Sequence, residues 1–455
     1  MTVKAFKHVL GCPRCGKRVT VSGDQFNCEG CKTLFPTLDG VPFLFADPGV
    51  TLDEWVGRYH ALIRKLEHES GVADAALQEK DLPESTRFRL NAIRTAKIAY
   101  ADELKSVLKP LNVADLQANH ETYLALRTRL PSDQGLTTYY ANLHRDWCWG
   151  ERENEESLRL VREGIGDHMP ENMLVLGAGG ARLAYDLHRS WPQALTVAAD
   201  FNPLLMLAAA KVTRGDTVAL HEFPIAPRSQ DDIALERALK APEAAGDTFH
   251  LILADALRAP FRAATFDTLV TPWLVDILPE SLRMQARRWN HLLADGGRWI
   301  WFGSHAFRGG QLLDCVSLEE SLEIIEASGF STPELIEAEI PYMASPADRL
   351  GRQEHVVVIS ATKVKDAKAP PRHAALPDWL VKSDQPVPTT ENFKMEAMTT
   401  RIYAFIMAMI DGTRSIDDMA QLMEEQKLMP RQEAVSAIRD FLIRMYEQSE
   451  RYSSL

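Results

Sequence analysis

Residues 173–187 read MLVLGAGGARLAYDL. A short apolar run breaks at glycines and passes into a helix-compatible segment. A run of that length without polar alternation suits a strand buried on both faces, as in parallel sheets. Gly177 and Gly179 allow a sharp turn and close backbone approach to a ligand at the strand's carboxyl end. Open α/β sheets hold cofactors there. Alone, such a glycine pattern is shared by nucleotide sites and empty turns. Two acids sharpen it. Asp200 ends the next apolar run, LTVAAD (195–200), where a carboxylate can accept both hydroxyls of a ribose. Asp255 ends the following one, FHLILAD (249–255). Each acid could instead simply cap a helix. A glycine turn and two acids at three successive strand ends favour a shared ligand.

Further apolar runs occur at 266–273 (FDTLVTPW), 298–303 (RWIWFG), 334–342 (ELIEAEIPY) and 355–362 (HVVVISAT). Their alternation with helical stretches predicts right-handed βαβ units and a doubly wound α/β sheet. The last two runs lack a helix-length spacer, which predicts an antiparallel pair at one edge. Upstream, residues 51–130 read helical. Leu90, Ile93, Ala96, Tyr100, Leu104 and Leu108 lie on one helix face there, and 151–164 forms another helix. Downstream, prolines at 370, 371, 377, 386 and 388 mark a linker. In the last segment Tyr403, Ile406, Met407 and Ile410 are expected to share a helix face. Ser415 with Asp418 forms a capping-box-like start, and Ala434, Ile438, Leu442 and Met445 give a further apolar face.

The 455-residue chain has 51 Lys and Arg against 63 Asp and Glu, a net charge of −12. Hydrophobic residues make up 45% and charged residues 25%, the balance of a folded soluble protein rather than a disordered one. No apolar run approaches the ~18–20 residues of a membrane span. The start, MTVKAFKHVLGCPRCG, lacks the apolar core of a secretory signal, so a cytoplasmic location without membrane partners is expected. Four of six cysteines, Cys12, Cys15, Cys28 and Cys31, form C-x2-C-x12-C-x2-C. Two such turns bring four thiolates to one point, which suits structural zinc, although a rubredoxin-type iron site uses the same ligands. Two disulfides would need an oxidising compartment. Lys4, Lys7, Arg14, Lys17, Arg18 and Lys32 oppose Asp24, Glu29 and Asp39 here, so the first 46 residues carry +3. Cys148 and Cys315 are isolated.

Several separated motifs resemble one family. YANLHRDWCWGERE (140–153), the glycine turn, the stretch ALHEFPIAPRSQDD (219–232) as an insertion, FDTLVTPWLVDILPE (266–280), WIWFGSHAF (299–307) and IPYMASP (340–346) follow in order. Together they resemble carnosine N-methyltransferase and its relatives over residues 135–362, about half of the chain. The resemblance implies a Rossmann-like class I methyltransferase sheet and S-adenosylmethionine (SAM) as cofactor. It implies that Arg145 meets the SAM carboxylate, that Gly177, Gly179 and Arg182 form the cofactor turn, that Asp200 holds the ribose, and that Asp255 lies near the adenine. It assigns Asp276, His305 and Tyr342 to the methyl-accepting site. The sequence departs from the family at Ala181, where the turn's last glycine is expected, at Asn142, where the family has glutamine, and at Asp200, where it tends to have glutamate. Trp273, Trp299 and Trp301 could wall the pocket, but apolar strand positions are more often core.

Two flanking resemblances complete the organisation. FPTLDGVPFLF (35–45) resembles the end of the zinc ribbon in methyltransferase-activator proteins. AFIMAMIDGTRSIDDMAQLMEE (404–425) with its following helix resembles PqqD-like domains, which recognise ribosomally made peptides. The expected layout is a zinc ribbon at 1–48, a helical lead-in at 49–134, a methyltransferase domain at 135–364, a linker at 365–390 and a PqqD-like unit of winged-helix type at 391–455. A leader peptide would add a strand to that unit, with the receiving strand in 390–402. The expected activity is methylation of a histidine imidazole nitrogen in a peptide or protein. Competing readings are a carnosine-like dipeptide methyltransferase, an RNA methyltransferase and a non-catalytic SAM-binding scaffold. The charge of −12 and the lack of a basic stripe count against a nucleic-acid substrate.

Overall fold

In the computed structural model, residues 6–23, 25–111, 136–307, 312–372, 375–381 and 384–453 are described. The lead-in beyond 111 lies outside them until residue 136. The chain divides into two units, Met1–Leu376 and Pro377–Leu455.

In the first unit, β1 (Val19–Ser22), β2 (Gln25–Cys28) and β3 (Leu34–Phe35) form a small antiparallel sheet. A hairpin of β4 (Thr37–Leu38) and β5 (Val41–Pro42) follows. Asp39 and Gly40 both adopt positive φ, 47° and 81°, as a two-residue hairpin turn requires. Helices α1 (Pro48–Ala76) and α2 (Glu84–Val107) pack together. Ala96, Tyr100, Leu104 and Leu108 of the expected apolar face are buried.

Next come α3 (Glu151–Ile165), β6 (Asn172–Leu176), α4 (Arg182–Ser190), β7 (Leu195–Asp200) and α5 (Pro203–Thr213). The insertion forms a separate antiparallel hairpin of β8 (Val218–Glu222) and β9 (Leu235–Leu239). Then follow β10 (Phe249–Leu253), β11 (Phe266–Pro272), α6 (Leu282–Leu292), β12 (Leu293–Gly303), α7 (Leu318–Ala327), β13 (Glu334–Tyr342) and β14 (Arg352–Thr362). The large sheet has the order β10-β7-β6-β11-β12-β14-β13. Its first five strands run parallel, and β14 pairs antiparallel with both β12 and β13, as the missing spacer predicted. This mixed α/β sheet has the strand order of Rossmann-like methyltransferases. The order reverses between β6 and β11, and such a reversal opens a crevice at the carboxyl ends of the strands.

Both sheet faces are covered, which explains the unbroken apolar runs. Met173 and Val175 join the core containing α1 to α5, whereas Leu174 and Leu176 join the core containing α6, α7 and the cysteine-bearing ribbon. Trp299 and Trp301 are wholly buried in the second core.

The second unit contains α8 (Glu391–Met409), α9 (Ile416–Glu425) and α10 (Arg431–Ser453). Ser415 and Asp418 form the expected capping box. Two expectations are corrected. Residues 391–402 are helical, with the Thr390 side chain capping the helix at Phe393, so no strand edge stands there to receive a peptide. The core of α8 is Ile406 and Met409, packed by Ile402 and Phe405, while Met407 and Ile410 are about half exposed. That helix is apolar on several sides, and sequence spacing selected the neighbouring stripe. Among the described residues, no helix is long and apolar enough to cross a membrane.

Candidate cofactor and acceptor site

The glycine turn lies at the end of β6. Gly177 (φ 74°) and Gly179 (φ 56°) take the left-handed conformation that favours glycine. The N–H groups of Gly177 and Ala178 bond to the Ala199 carbonyl at 2.9 and 3.1 Å. A Cβ on Gly177 would meet Leu274 at 3.0 Å, whereas one on Gly179 would meet none of the described residues within 4 Å. Ala181 adopts φ 63° at the start of α4, so alanine tolerates the conformation that the missing glycine would favour.

Asp200 ties this turn to the next helix. Its Oδ2 accepts from Gly179 N and its Oδ1 from Asn202 N, both at 2.9 Å. Each oxygen keeps a lone pair for a ligand hydroxyl. Burial raises its pKa to about 6 against the opposing effect of these backbone donors. Asp255 caps the helical turn Ala256–Arg258 by accepting from Leu257 N at 2.9 Å. This is the helix-capping role open to an acid at a strand end.

The R-D-W segment underpins the turn. A helical turn at Ala141–His144 passes into a π turn at Arg145–Trp149, a form often found at functional sites. The Trp147 indole donates to the Gly180 carbonyl at 2.8 Å. Arg182 donates to the Asp146 carbonyl and pairs with Asp186, so it braces the turn from below. Arg145 pairs with Asp146 at 2.7 Å and Glu153 at 2.9 Å. Its guanidinium fork is thus engaged by two carboxylates within the protein. The Glu153 side chain also accepts from Met343 N at 2.8 Å, joining this segment to the end of β13.

Asp276 lies in a helical turn, Val275–Ile277, just past β11 and is 6% exposed. Its Oδ2 accepts from Ser304 Oγ at 2.6 Å and Ala306 N at 3.0 Å. Its Oδ1 is buried and has no hydrogen-bond partner among the described residues. Such an orphaned carboxylate oxygen is costly unless a ligand donates to it. His305 lies between the two anchoring residues. Its Nε2 bonds to Ser321 Oγ at 2.8 Å, and its ring stacks on Trp301 with centroids 5.5 Å apart. Tyr342 packs on Trp273 at 4.7 Å and lies under the Arg352 guanidinium. Trp273 itself holds φ 51°, an uncommon strain for a bulky residue.

The sequence did not single out Tyr139. Burial, then Asp200, then Asp276, raise the pKa of its phenol. Asn202 holds the preceding loop by donating to the carbonyls of Leu136 and Thr138. The adjacent Tyr139-Tyr140 pair before the R-D-W core was the only available signal. Glu153 and Ser304 were also missed, because their roles depend on contacts distant in sequence.

The four ribbon cysteines have ligand atoms within 4.8 Å of one another. Cys12 and Cys31 sulfurs are 3.6 Å apart, and those of Cys15 and Cys28 are 3.3 Å apart. Zn–S bonds of ~2.3 Å in a tetrahedron require about 3.8 Å between sulfurs, so the donor set fits one metal ion after slight expansion.

No family model matches the sequence, and no curated protein matches it. Among solved structures, similarity extends to phosphoethanolamine N-methyltransferase 2 of Haemonchus contortus. The identity is 11%, the match covers 52% of this chain and 61% of that one, and the TM-score is 0.34. N-methyltransferase NodS of Bradyrhizobium japonicum is 14% identical, covering 48% of this chain and 99% of its own, with TM-score 0.31. The 1,6-didemethyltoxoflavin-N1-methyltransferase of Burkholderia thailandensis is 16% identical, covering 55% and 93%, with TM-score 0.31.

Proposed function

We propose that the protein is a SAM-dependent N-methyltransferase that methylates a histidine imidazole nitrogen, with a peptide or protein as substrate. The observation behind this reading is the buried Oδ1 of Asp276, without a partner among the described residues, two residues after the Leu274 that packs against Gly177. The open backbone at Gly179 and the spare lone pairs of Asp200 fit the cofactor. SAM, when bound, supplies an electrophilic methyl group. Asp276 Oδ1 accepts the N–H of one imidazole nitrogen and so leaves the lone pair on the other. Neutral imidazole, pKa ~6.5, is already nucleophilic, so orientation matters more than a strong base. The carboxylate charge stabilises the imidazolium as its ring becomes positive, and then takes up or relays its N–H proton. Ser304 and Ala306 hold the other carboxylate oxygen and fix its angle. Tyr342 and Trp273 supply an aromatic wall.

The C-terminal unit supports a peptide substrate. Helix α8 exposes Phe393, Met395, Met398 and Met407, apolar side chains that a peptide could contact. We assign a structural zinc ion to the four cysteines, on their donor type and spacing.

Incubation with SAM and histidine-containing peptides, followed by tandem mass spectrometry, should locate the methyl group on imidazole. Methylation of carboxylates alone would refute the assignment. Asp276→Ala should lower turnover at least about a hundredfold while SAM affinity stays within about twofold. Removal of residues 377–455 should depress methylation of leader-bearing peptides and spare that of a histidine dipeptide. Equal loss on both substrates would remove the leader-binding role.

A further inference from the structure

On the far side of the ribbon lies a cleft of about 350 Å³ that the methyl-transfer chemistry does not use. The metal-binding turn at Cys12–Gly16, the loop after β10, the end of α6 and residues 369–372 form its walls. Four guanidiniums line it: Arg258, Arg262, Arg288 and Arg372. Two are matched by carboxylates. Arg288 is bidentate to Glu280, with both bonds at 2.7 Å, and Arg258 lies 3.8 Å from Asp47. The other two touch only carbonyl oxygens in the bonds they form, Arg262 at His8 and Arg372 at Cys12, both at 3.3 Å. Neither has a carboxylate partner among the described residues. The nearby Lys363 is matched by Asp366 and Asp295. The cleft therefore has a surplus of about two positive charges in a chain of −12.

The buried Trp289 also lines the cleft. Planar guanidiniums match the paired oxygens of phosphate, and a dianion balances a surplus of two better than a carboxylate does. Phe261, Leu257, Leu292 and Pro370 add apolar wall, and the volume lies in the range of small-molecule sites.

We propose that this cleft binds a small phosphate monoester, with the phosphate gripped by Arg262 and Arg372 and the organic group against the apolar wall. Calorimetric titration of the full chain with phenyl phosphate, inorganic phosphate and acetate tests this. Saturable one-to-one binding is expected for both phosphates, phenyl phosphate binding several-fold tighter and acetate at least tenfold weaker. The double substitution Arg262→Gln and Arg372→Gln should weaken phenyl phosphate at least tenfold. Arg159→Gln, on the outer face of α3, should change nothing. Should the double variant lose its fold, phenylglyoxal modification of the unaltered protein gives the same answer. Phenyl phosphate should then protect Arg262 and Arg372, read by peptide mass spectrometry. Absence of saturable phosphate binding, equal affinity for acetate, or unprotected arginines would overturn the proposal. So would oligonucleotide binding at this cleft that phenyl phosphate fails to displace.

Discussion

At the scale of single residues, Asp200 has the most measurable consequence. Its pKa of about 6 means that a buried carboxyl in the free protein gives up its proton only near that pH. Only the ionised form accepts hydroxyls through both oxygens. SAM affinity should therefore be flat above pH 7 and fall as pH drops through 6, by roughly tenfold per unit below it. Asp200→Asn should bind weakly with no such slope, and affinity independent of pH in the unaltered protein would contradict the assigned role. Asp200 was legible in sequence because a strand end and a glycine turn point to it together. The engagement of Arg145 was not. Asp146 is adjacent in sequence, but Glu153 reaches the same guanidinium only because of the π turn between them. Spacing rules for ordinary helices do not anticipate that geometry. Tyr139 was hidden for a related reason, since its placement depends on the Asn202 amide holding its loop from 66 residues away.

At the scale of elements, the glycine turn separates two effects that a single substitution usually confounds. Gly179 holds a positive φ, and alanine there meets no neighbour among the described residues. The cost to the free protein should be about 1 kcal/mol, from the backbone conformation alone. The cost to the cofactor should be larger, because the new methyl occupies the approach. Gly179→Ala should thus lower the melting temperature by only a few degrees and weaken SAM more than tenfold in calorimetry. A matching loss in both would mean that the turn is structural only. The parallel strands of the main sheet were readable because burial on both faces removes polar interruptions, whereas the edge strand β13 keeps its glutamates. The β8–β9 hairpin was not, because VALHE and LERAL span only five positions each and neither shows a regular apolar–polar alternation. A helix such as α8, apolar on several sides, leaves the choice of buried stripe to tertiary packing.

At the scale of the whole molecule, the cysteine-bearing segment also covers part of the main sheet. Phe43 forms a parallel bridge to Leu253, and Leu44 N donates to the Leu253 carbonyl, so the chain after the ribbon covers β10 at the sheet's margin. Leu10 bridges Phe261 in the same region. Uncovered margins invite pairing with other chains. With zinc held by the four cysteines, a strong chelator should cause further self-association, visible as a rise in light scattering, before methyl transfer declines. Adding back one equivalent of zinc should reverse the rise. A chelated protein that scatters no more than the untreated one would show that the cover holds without metal.

The clamp between the R-D-W segment and the glycine turn has a consequence for how this architecture can be inherited or transplanted. The floor of the cofactor crevice is written upstream of the sheet, in Trp147 and Asp146, and bolted to it through Gly180 and Arg182. The sheet is consequently not a portable module. A recombination boundary drawn at its first strand would sever the crevice from its own foundation, whereas one placed before residue 136 would carry both together.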